Sequence, residues 1–397
     1  MFYHPQLAIL LLLVGASIYW SIPPTRPGVR MGWLVTFSVA AIGLAAPYAV
    51  LISLAMSLMV VGWSIVFERQ GRAAAQRSGT IVRQHSVLLF WTALCSVLAI
   101  PVLLDIRNVS DPVIVLGVSY VLLKSVVALM DSYAARRRLG LRQVALMNCF
   151  LPIYSAGPIE GPAAFAPSAF ENRLNAKGIA NGLSRITIGI FKTYFIAETI
   201  ISGFLDARFA DVLSSPERYG PASLGAFVLV RFLHVYVNFS GYSDMAIGAS
   251  LLFGLRVSEN FRHPWCATNL QEFWRRWHMS LARFVQQYVY LRLTVILRRP
   301  YVALFIAFVL AGLWHKVALG YLLWGIGHGA GLVTYAFLRR RLGAKATYRR
   351  VSASLPYTFL SWLSTMSYVA FLSLLANEDL STVGRLALAF IGMRADA

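Results

Sequence analysis

The chain of 397 residues has little charge: 13% of it is Asp, Glu, Lys or Arg, while 58% is apolar. Soluble domains carry about a quarter charged residues, so one water-facing globule is excluded. Acidic residues are the scarcer sign, 16 against 36 Lys and Arg, for a net charge of +20. Cysteine is nearly lacking. Cys95, Cys149 and Cys266 form no CxxC pair and lie in or beside apolar stretches, as small apolar filler. HExxH, Cys/His metal spacing and a Gly-rich nucleotide loop are missing too, which leaves zinc chemistry and ATP-driven transport without residues to carry them. No hydrophilic domain, low-complexity linker or internal repeat interrupts the pattern.

Long charge-free runs dominate instead: Met31–Phe67, Ser86–Leu104 and Val351–Asn377. Runs of this length read as membrane-spanning helices. A helix over Met31–Phe67 would be about 55 Å long against a hydrocarbon core of about 30 Å, so it must break, and Pro47 is the natural place. The expected spans are 7–22, 32–46, 48–67, 86–104, 112–131, 178–204, 222–252, 300–315, 317–338 and 356–376, with a short apolar piece at 380–393. Leu7–Trp20 lacks a basic flank and a cleavage site, and reads as a retained first span.

The basic excess is clustered. Arg69, Arg72, Arg77 and Arg83 share one polar gap, Arg136, Arg137, Arg138 and Arg142 another, and Arg339–Arg341, Lys345, Arg349 and Arg350 a third. The gaps between hold Asp105/Arg107/Asp111, Asp206/Arg208/Asp211/Glu217/Arg218 and Glu378/Asp379. Such alternation follows the positive-inside rule, so the arginine gaps face the cytoplasm and anionic lipid, and nucleic acid is no partner.

Two regions are too broken or too polar for simple spans. Asn148–Pro167 holds Pro152, Pro158, Pro162 and Pro167 with Gly157 and Gly161. Irregular backbone at membrane depth is tolerated only where protein or an aqueous cavity satisfies it. Arg256–Leu293 mixes Trp265, Trp274 and Trp277 with Arg275, Arg276, Arg283 and Arg292, and is expected at the cytoplasmic interface. An enclosed cavity follows from both.

Ionisable groups within apolar helices are functional candidates by default. They are Lys124, Asp131, Arg185, Lys192, Arg231, His234, Asp244, His278, His315 and His328. Arg185, Lys192 and Arg231 are expected to snorkel or pair, and His234 to pack. His315 ends an uncharged run that begins at Pro300, while His328 sits among Gly325, Gly327, Gly329 and Gly331, whose spacing admits a close helix neighbour. A buried imidazole stays neutral and can take a proton from a hydroxyl. Gly241-Tyr242-Ser243-Asp244-Met245 is no hydrolase elbow, since Met replaces the second Gly. Glu272, Arg275 and Arg276, at i, i+3 and i+4, suit either a self-pairing interfacial helix or a cationic entrance for a phosphate-bearing donor.

The string Asn238-Phe239-Ser240-Gly241-Tyr242-Ser243-Asp244, then Glu259-Asn260-Phe261-Arg262-His263-Pro264, then Glu272-Phe273-Trp274-Arg275-Arg276-Trp277-His278, closely resembles the membrane-bound O-acyltransferase family, in its bacterial branch of alginate O-acetylases and teichoic-acid D-alanyl-transfer proteins. Gly117-Val118-Ser119-Tyr120, Gly157-Pro158-Ile159, Gly312-Leu313-Trp314-His315 and Trp324-Gly325 with His328-Gly329 agree in order. The resemblance covers roughly residues 45–340, with a motif core at about 230–335.

The resemblance implies an all-α polytopic domain over 1–397, a ring of about 9–11 tilted helices with re-entrant segments around a central tunnel. It puts His315 at the catalytic histidine position and His278 in the second histidine motif. Trp274, Arg275, Arg276, Trp277, Asn238, Ser240, Tyr242, Asp244, Trp314 and Lys316 are then expected at the donor entrance and tunnel. Lys316 and the Gln286-Gln287 pair depart from the family pattern.

The implied reaction passes an acyl group from a cytoplasmic thioester, on a phosphopantetheinyl carrier protein or coenzyme A, to a hydroxyl of a cell-envelope molecule outside. No permanently bound cofactor is implied, and an extracytoplasmic acyltransferase partner can complete the transfer. Chain length and Tyr290-Leu291-Arg292-Leu293 favour D-alanyl, with O-acetylation of an exported polysaccharide such as alginate as the alternative. A non-enzymatic transporter or export scaffold is the rival of another class. Each places a multi-pass protein in the bacterial inner membrane.

Overall fold

A computed structural model describes residues 5–76, 88–97, 99 and 112–393, and among these the regular elements are all helical. In chain order they are α1 (Pro5–Ser21), α2 (Pro27–Ala45), α3 (Pro47–Gln76), α4 (Leu88–Val97), α5 (Pro112–Ala135), α6 (Leu141–Cys149) and α7 (Ala176–Ile190). A π-helical stretch, Phe191–Ser202, leads into α8 (Gly203–Phe209), then α9 (Pro221–Leu252), α10 (Leu270–Trp274) and α11 (Met279–Phe284). After a second π turn come α12 (Leu291–Leu297), α13 (Pro300–His315), α14 (Leu319–Leu342), α15 (Ala346–Ser352), α16 (Leu355–Asn377) and α17 (Leu380–Phe390). Six stretches are long and apolar enough to cross a bilayer, so the chain is a multi-pass membrane protein. Arg77, Arg83 and the Asp105/Arg107/Asp111 gap, with most of 98–104, lie outside the described residues.

Proline opens many of these helices, at Pro27, Pro47, Pro112, Pro221 and Pro300, where its missing N–H costs nothing. Pro47 breaks the long apolar run as expected. The preceding helix starts earlier than expected, at Pro27, because Arg30 belongs inside it. Arg30 is 2% exposed. Its Nε donates to the Ile22 carbonyl at 2.8 Å, and its terminal nitrogen to those of Phe170 and Asn172 at 3.2 and 2.6 Å. The rings of Tyr19 and Trp20 each stand 5.1 Å from the guanidinium. A charge so enclosed persists because every face of it is answered.

Two compact units form, Met1–Ile190 with Tyr242–Glu259, and Phe191–Gly241 with Asn260–Ala397. In the first, the proline-broken segment after α6 runs as short 3-10 turns over Leu151–Ile153, Pro162–Phe165 and Pro167–Phe170. Lys124 of α5, fully buried, donates to the Ile153 carbonyl at 3.1 Å. Asn148 donates to Ser57 and Ser125 at 3.0 and 3.2 Å, and the Glu160 carboxylate accepts the Ser258 N–H. Protein thus supplies the partners that hydrocarbon cannot. Arg185 on α7 pairs with Asp244 at 2.7 Å and with both oxygens of Glu259, so this arginine is consumed by structure.

In the second unit α13 and α14 lie against each other at glycines. A Cβ at Gly312 would strike the Tyr321 carbonyl, and one at Gly325 would come within 2.7 Å of the Phe308 carbonyl. This close approach sets where His315, at the end of α13, stands. Gly325→Leu is therefore expected to lower the melting temperature of the detergent-purified protein, by the equivalent of about 1–3 kcal/mol for an overpacked contact. Tryptophan-fluorescence melts of the variant and the parent would measure this.

Candidate active site

The second unit encloses a chamber of about 190 Å³ whose wall carries three histidines, His278, His315 and His328. How each arrives is a matter of local sequence. Asn269 caps α10, its Oδ1 accepting the Glu272 N–H at 2.9 Å, and Glu272 reaches back to the backbone and hydroxyl of Thr268 at 3.1 Å. This is a variant of the capping box in which Asn269 caps and Glu272 returns to the residue before the cap. The short helix buries Phe273 and Trp274 on the chamber side.

His278 then takes a left-handed conformation, φ 40°, which reverses the chain between α10 and α11. Asn260 holds that turn. Its carbonyl accepts the Met279 N–H at 2.9 Å, and its Oδ1 accepts the Ser280 hydroxyl at 2.7 Å, while Arg262 N–H donates to the Arg276 carbonyl at 2.9 Å. The two motif blocks around Asn260 and His278 are therefore one hydrogen-bonded pair of segments. His278 is 2% exposed, with the edge of Phe239 against it at 4.9 Å between ring centres.

His315 arrives from α13. The extended Lys316 ends the helix, and α14 begins at Leu319 and brings Tyr321 and Trp324 beside the imidazole, at 5.8 and 5.6 Å between centres. Trp314 packs on its other side at 4.6 Å. Despite these neighbours the His315 side chain keeps an exposed surface. His328, one turn beyond Trp324, is 2% exposed, and its Nδ1 accepts a hydrogen bond from Trp274 Nε1 at 3.2 Å. The glycine spacing around His328 does bring close neighbours against it, yet the imidazole stands on the chamber wall.

Aromatic rings and aliphatic side chains make up most of the rest, and the lining includes no Asp, Glu, Lys or Arg. Besides the histidines and the indole N–H groups of Trp274, Trp277 and Trp324, polar side-chain atoms come from Tyr321, Ser373 and Asn377. These three were missed, because single polar residues near helix ends carry no motif. Just beyond the lining, Arg231 and Glu378 pair at 2.9 Å and tie α9 to the end of α16.

Of the residues expected at the entrance and tunnel, Trp274 and Trp277 line the chamber with His278 and His315. Trp314 touches His315 from behind, and Lys316 is exposed beside it. Arg276 pairs with Glu272 at 2.7 Å, whereas Arg275 is exposed. Asn238, Ser240, Tyr242 and Asp244 are not among the lining residues. The α9 face that lines it is Phe232, Val235 and Phe239; Ser240 instead bonds back to the Val237 carbonyl at 3.1 Å, and Tyr242 packs on the core of the first unit. Among the described residues no cluster of three or more His, Cys, Asp or Glu could hold a metal ion.

The sequence profile of the membrane-bound O-acyltransferase (MBOAT) family matches residues 87–376. A probable alginate O-acetylase of Pseudomonas fluorescens is 33% identical over 280 residues, which are 68% of this chain and 53% of that protein. The peptidoglycan O-acetyltransferase of Helicobacter pylori is 33% identical over 237 residues, 57% of this chain and 42% of its own. A teichoic acid D-alanyltransferase of Bacillus subtilis is 25% identical over 273 residues, 64% and 67% of the two chains. The chain spans about half the length of the first two.

The capping carboxylate gives a pH test. Burial opposes its ionisation, but the hydrogen bonds from Thr268 and Arg276 outweigh it and hold the Glu272 carboxyl below its ordinary 4.5. A depressed carboxyl stabilises the fold above that ordinary value and loses the contribution as pH falls through its lowered one. Glu272→Gln is expected to be less stable than the parent at pH 7 and to show a flatter loss of stability below about pH 4.5, read by thermal melts across pH.

Proposed function

From the premise that the chain belongs to the membrane-bound O-acyltransferase family, we propose that it transfers a small acyl group from a thioester to an alcohol in the histidine chamber, with His315 as general base. The difference in access between three histidines on one wall carries this reading. His315 is exposed, whereas His278 and His328 are each 2% exposed and held in packing or hydrogen bonding. A proton acceptor must touch its substrate.

The His315 imidazole takes the acceptor's hydroxyl proton as the oxygen attacks the thioester carbonyl. A tetrahedral oxyanion forms, the C–S bond breaks, and the departing thiolate takes the proton back from the imidazolium. Donors available to the oxyanion in the lining are the Tyr321 hydroxyl, the Asn377 amide and the indole N–H groups of Trp277 and Trp324. His278 shapes the chamber, with its turn fixed by Asn260.

The chamber favours acetyl as the group moved. D-alanyl carries an ammonium, and the lining offers no carboxylate to meet it, so a desolvated cation would rest on ring faces alone. The two acetylating relatives are also the more identical, at 33% each. D-alanyl, the first expectation from sequence, is the second reading, supported by the D-alanyltransferase of Bacillus subtilis. The acceptor is a hydroxyl of a cell-envelope glycan outside the bacterial inner membrane.

On the inner side Arg275 is left with the net positive charge once Glu272 neutralises Arg276, and it serves to dock an acidic donor, an acyl-carrier protein or acyl-CoA. An extracytoplasmic acyltransferase fits as the partner that finishes delivery.

Membranes containing the protein are offered labelled acetyl and D-alanyl thioesters in parallel. Acetyl is expected to move, His315→Ala to insert normally but lose about 10²–10⁴-fold in transfer, and His315→Gln to be nearly as poor. His328→Ala should keep far more activity. Near-normal turnover by a folded His315→Ala protein would overturn the assignment. Turnover of neither donor by the parent, with glycan export intact, would favour an export scaffold.

A further inference from the structure

A larger cavity, about 450 Å³, opens in the second unit between α14, α16 and the stretch 268–270. Nine of its thirteen lining residues bear a hydroxyl or an amide, and none is charged. On α16 the stripe Tyr357, Ser361, Ser364, Thr365 and Tyr368 repeats at helical spacing and gives one face to the groove. Thr365 bonds back to the Ser361 carbonyl at 2.7 Å and Tyr368 to that of Gly327 at 2.7 Å, so these two close its back wall. Ser364 and Thr334 remain exposed.

Hydroxyls along a bilayer helix call for an explanation, because the rest of α16 shows hydrocarbon its apolar side. Leu355, Phe359 and Leu360 are 84%, 59% and 62% exposed. The groove thus borders lipid-facing surface. It also ends in positive charge. The α14 face Gly331, Thr334, Tyr335 and Leu338 reaches Arg341 one turn on, where the guanidinium lies over the Phe337 ring at 5.2 Å. Arg339 is held beside the groove, donating to Gln271 Oε1 at 3.1 Å next to the lining residue Leu270.

An uncharged interior in which hydroxyls share the surface with apolar groups, arginines just beyond one end and an apolar flank match three parts of one molecule: a polyol headgroup, its phosphate and its acyl chains. We propose that the groove binds an anionic glycerophospholipid of the cytoplasmic leaflet, with phosphate at Arg339 and Arg341 and headgroup hydroxyls among Thr334, Ser361 and Ser364. The leaflet follows from the arginine cluster. The volume, about fifteen times the roughly 30 Å³ share of one water, accommodates a glycerol phosphate headgroup. Nothing in this assignment depends on acyl transfer.

The test uses the full chain, stripped of lipid in neutral detergent and titrated with phosphatidylglycerol or phosphatidylcholine of the same acyl chains, with bound lipid counted by native mass spectrometry. Phosphatidylglycerol is expected to bind at least about tenfold more tightly, with affinity falling as salt rises. The surface pair Arg339→Gln and Arg341→Gln should remove that preference. Ser364→Leu, at an exposed position, should weaken phosphatidylglycerol by narrowing the groove, with circular dichroism confirming both folds. Equal affinity of the parent for the two lipids overturns the proposal, as does an undiminished preference in the folded double arginine variant. Displacement of phosphatidylglycerol by soluble phosphopantetheine would assign the groove to the donor's arm and overturn it as well.

Discussion

Hydrocarbon offers no hydrogen bonds, and much of this structure follows from that constraint. A polar group that leaves water must find its partner inside the protein, or the helix bearing it does not insert. Arg30 meets it with three carbonyls and two aromatic faces. Lys124 meets it with a carbonyl that the proline-broken segment leaves open, so the break in the helix and the buried charge satisfy each other. Isolated charges at such positions would cost several kcal/mol.

The same constraint decides what could be read from sequence. Spans were legible because apolar runs and clustered arginines report directly on the bilayer, and Pro47 broke the longest run where expected. Arg30 was not, because a reading that ends a span at the first charge cannot see a guanidinium answered by residues 140 and 142 positions away. The broken stretch Asn148–Pro167 was legible in its prolines, although α6 runs on to Cys149 and Lys124 as its anchor was not foreseen. Within the site, His278, His315, Trp274 and Trp277 came from motif blocks and stand on one wall. Asn238 and Ser240 came from the same kind of block but belong to a different face of α9 from Phe239. Motif membership names the segment, and only the helix phase tells which side chain faces the chamber.

Several motif residues have a structural part that explains their presence without chemistry. Asn260 holds the left-handed turn at His278 through the Met279 N–H and the Ser280 hydroxyl. Asn269 and Glu272 cap the helix that aims Trp274. Trp274 in turn donates to His328, and this occupies one ring nitrogen of that imidazole. With His328 engaged and His278 buried, the access of His315 distinguishes one of three chemically equal side chains. Surroundings make three like residues differ in access, which the residue type alone does not.

The helices α14 and α16 each serve two cavities with different stretches of one length. Tyr321, Trp324 and His328 of α14, with Val369, Ser373 and Asn377 of α16, face the histidine chamber. Farther toward the arginine-rich end, Thr334 and Tyr335 face Ser361 and Ser364 across the hydroxyl groove. Between the two lies a short wall, where Tyr368 bonds to the Gly327 carbonyl and its ring stands 6.5 Å from that of His328. Glycine makes this wall thin: a Cβ at Gly331 would meet Leu270 and the Tyr368 hydroxyl, and one at Gly327 would meet Leu372. A close-packed wall transmits displacement instead of absorbing it. Tyr368 thus borders both cavities: it lines the groove, and its ring edges the packing in which His328 accepts the Trp274 hydrogen bond.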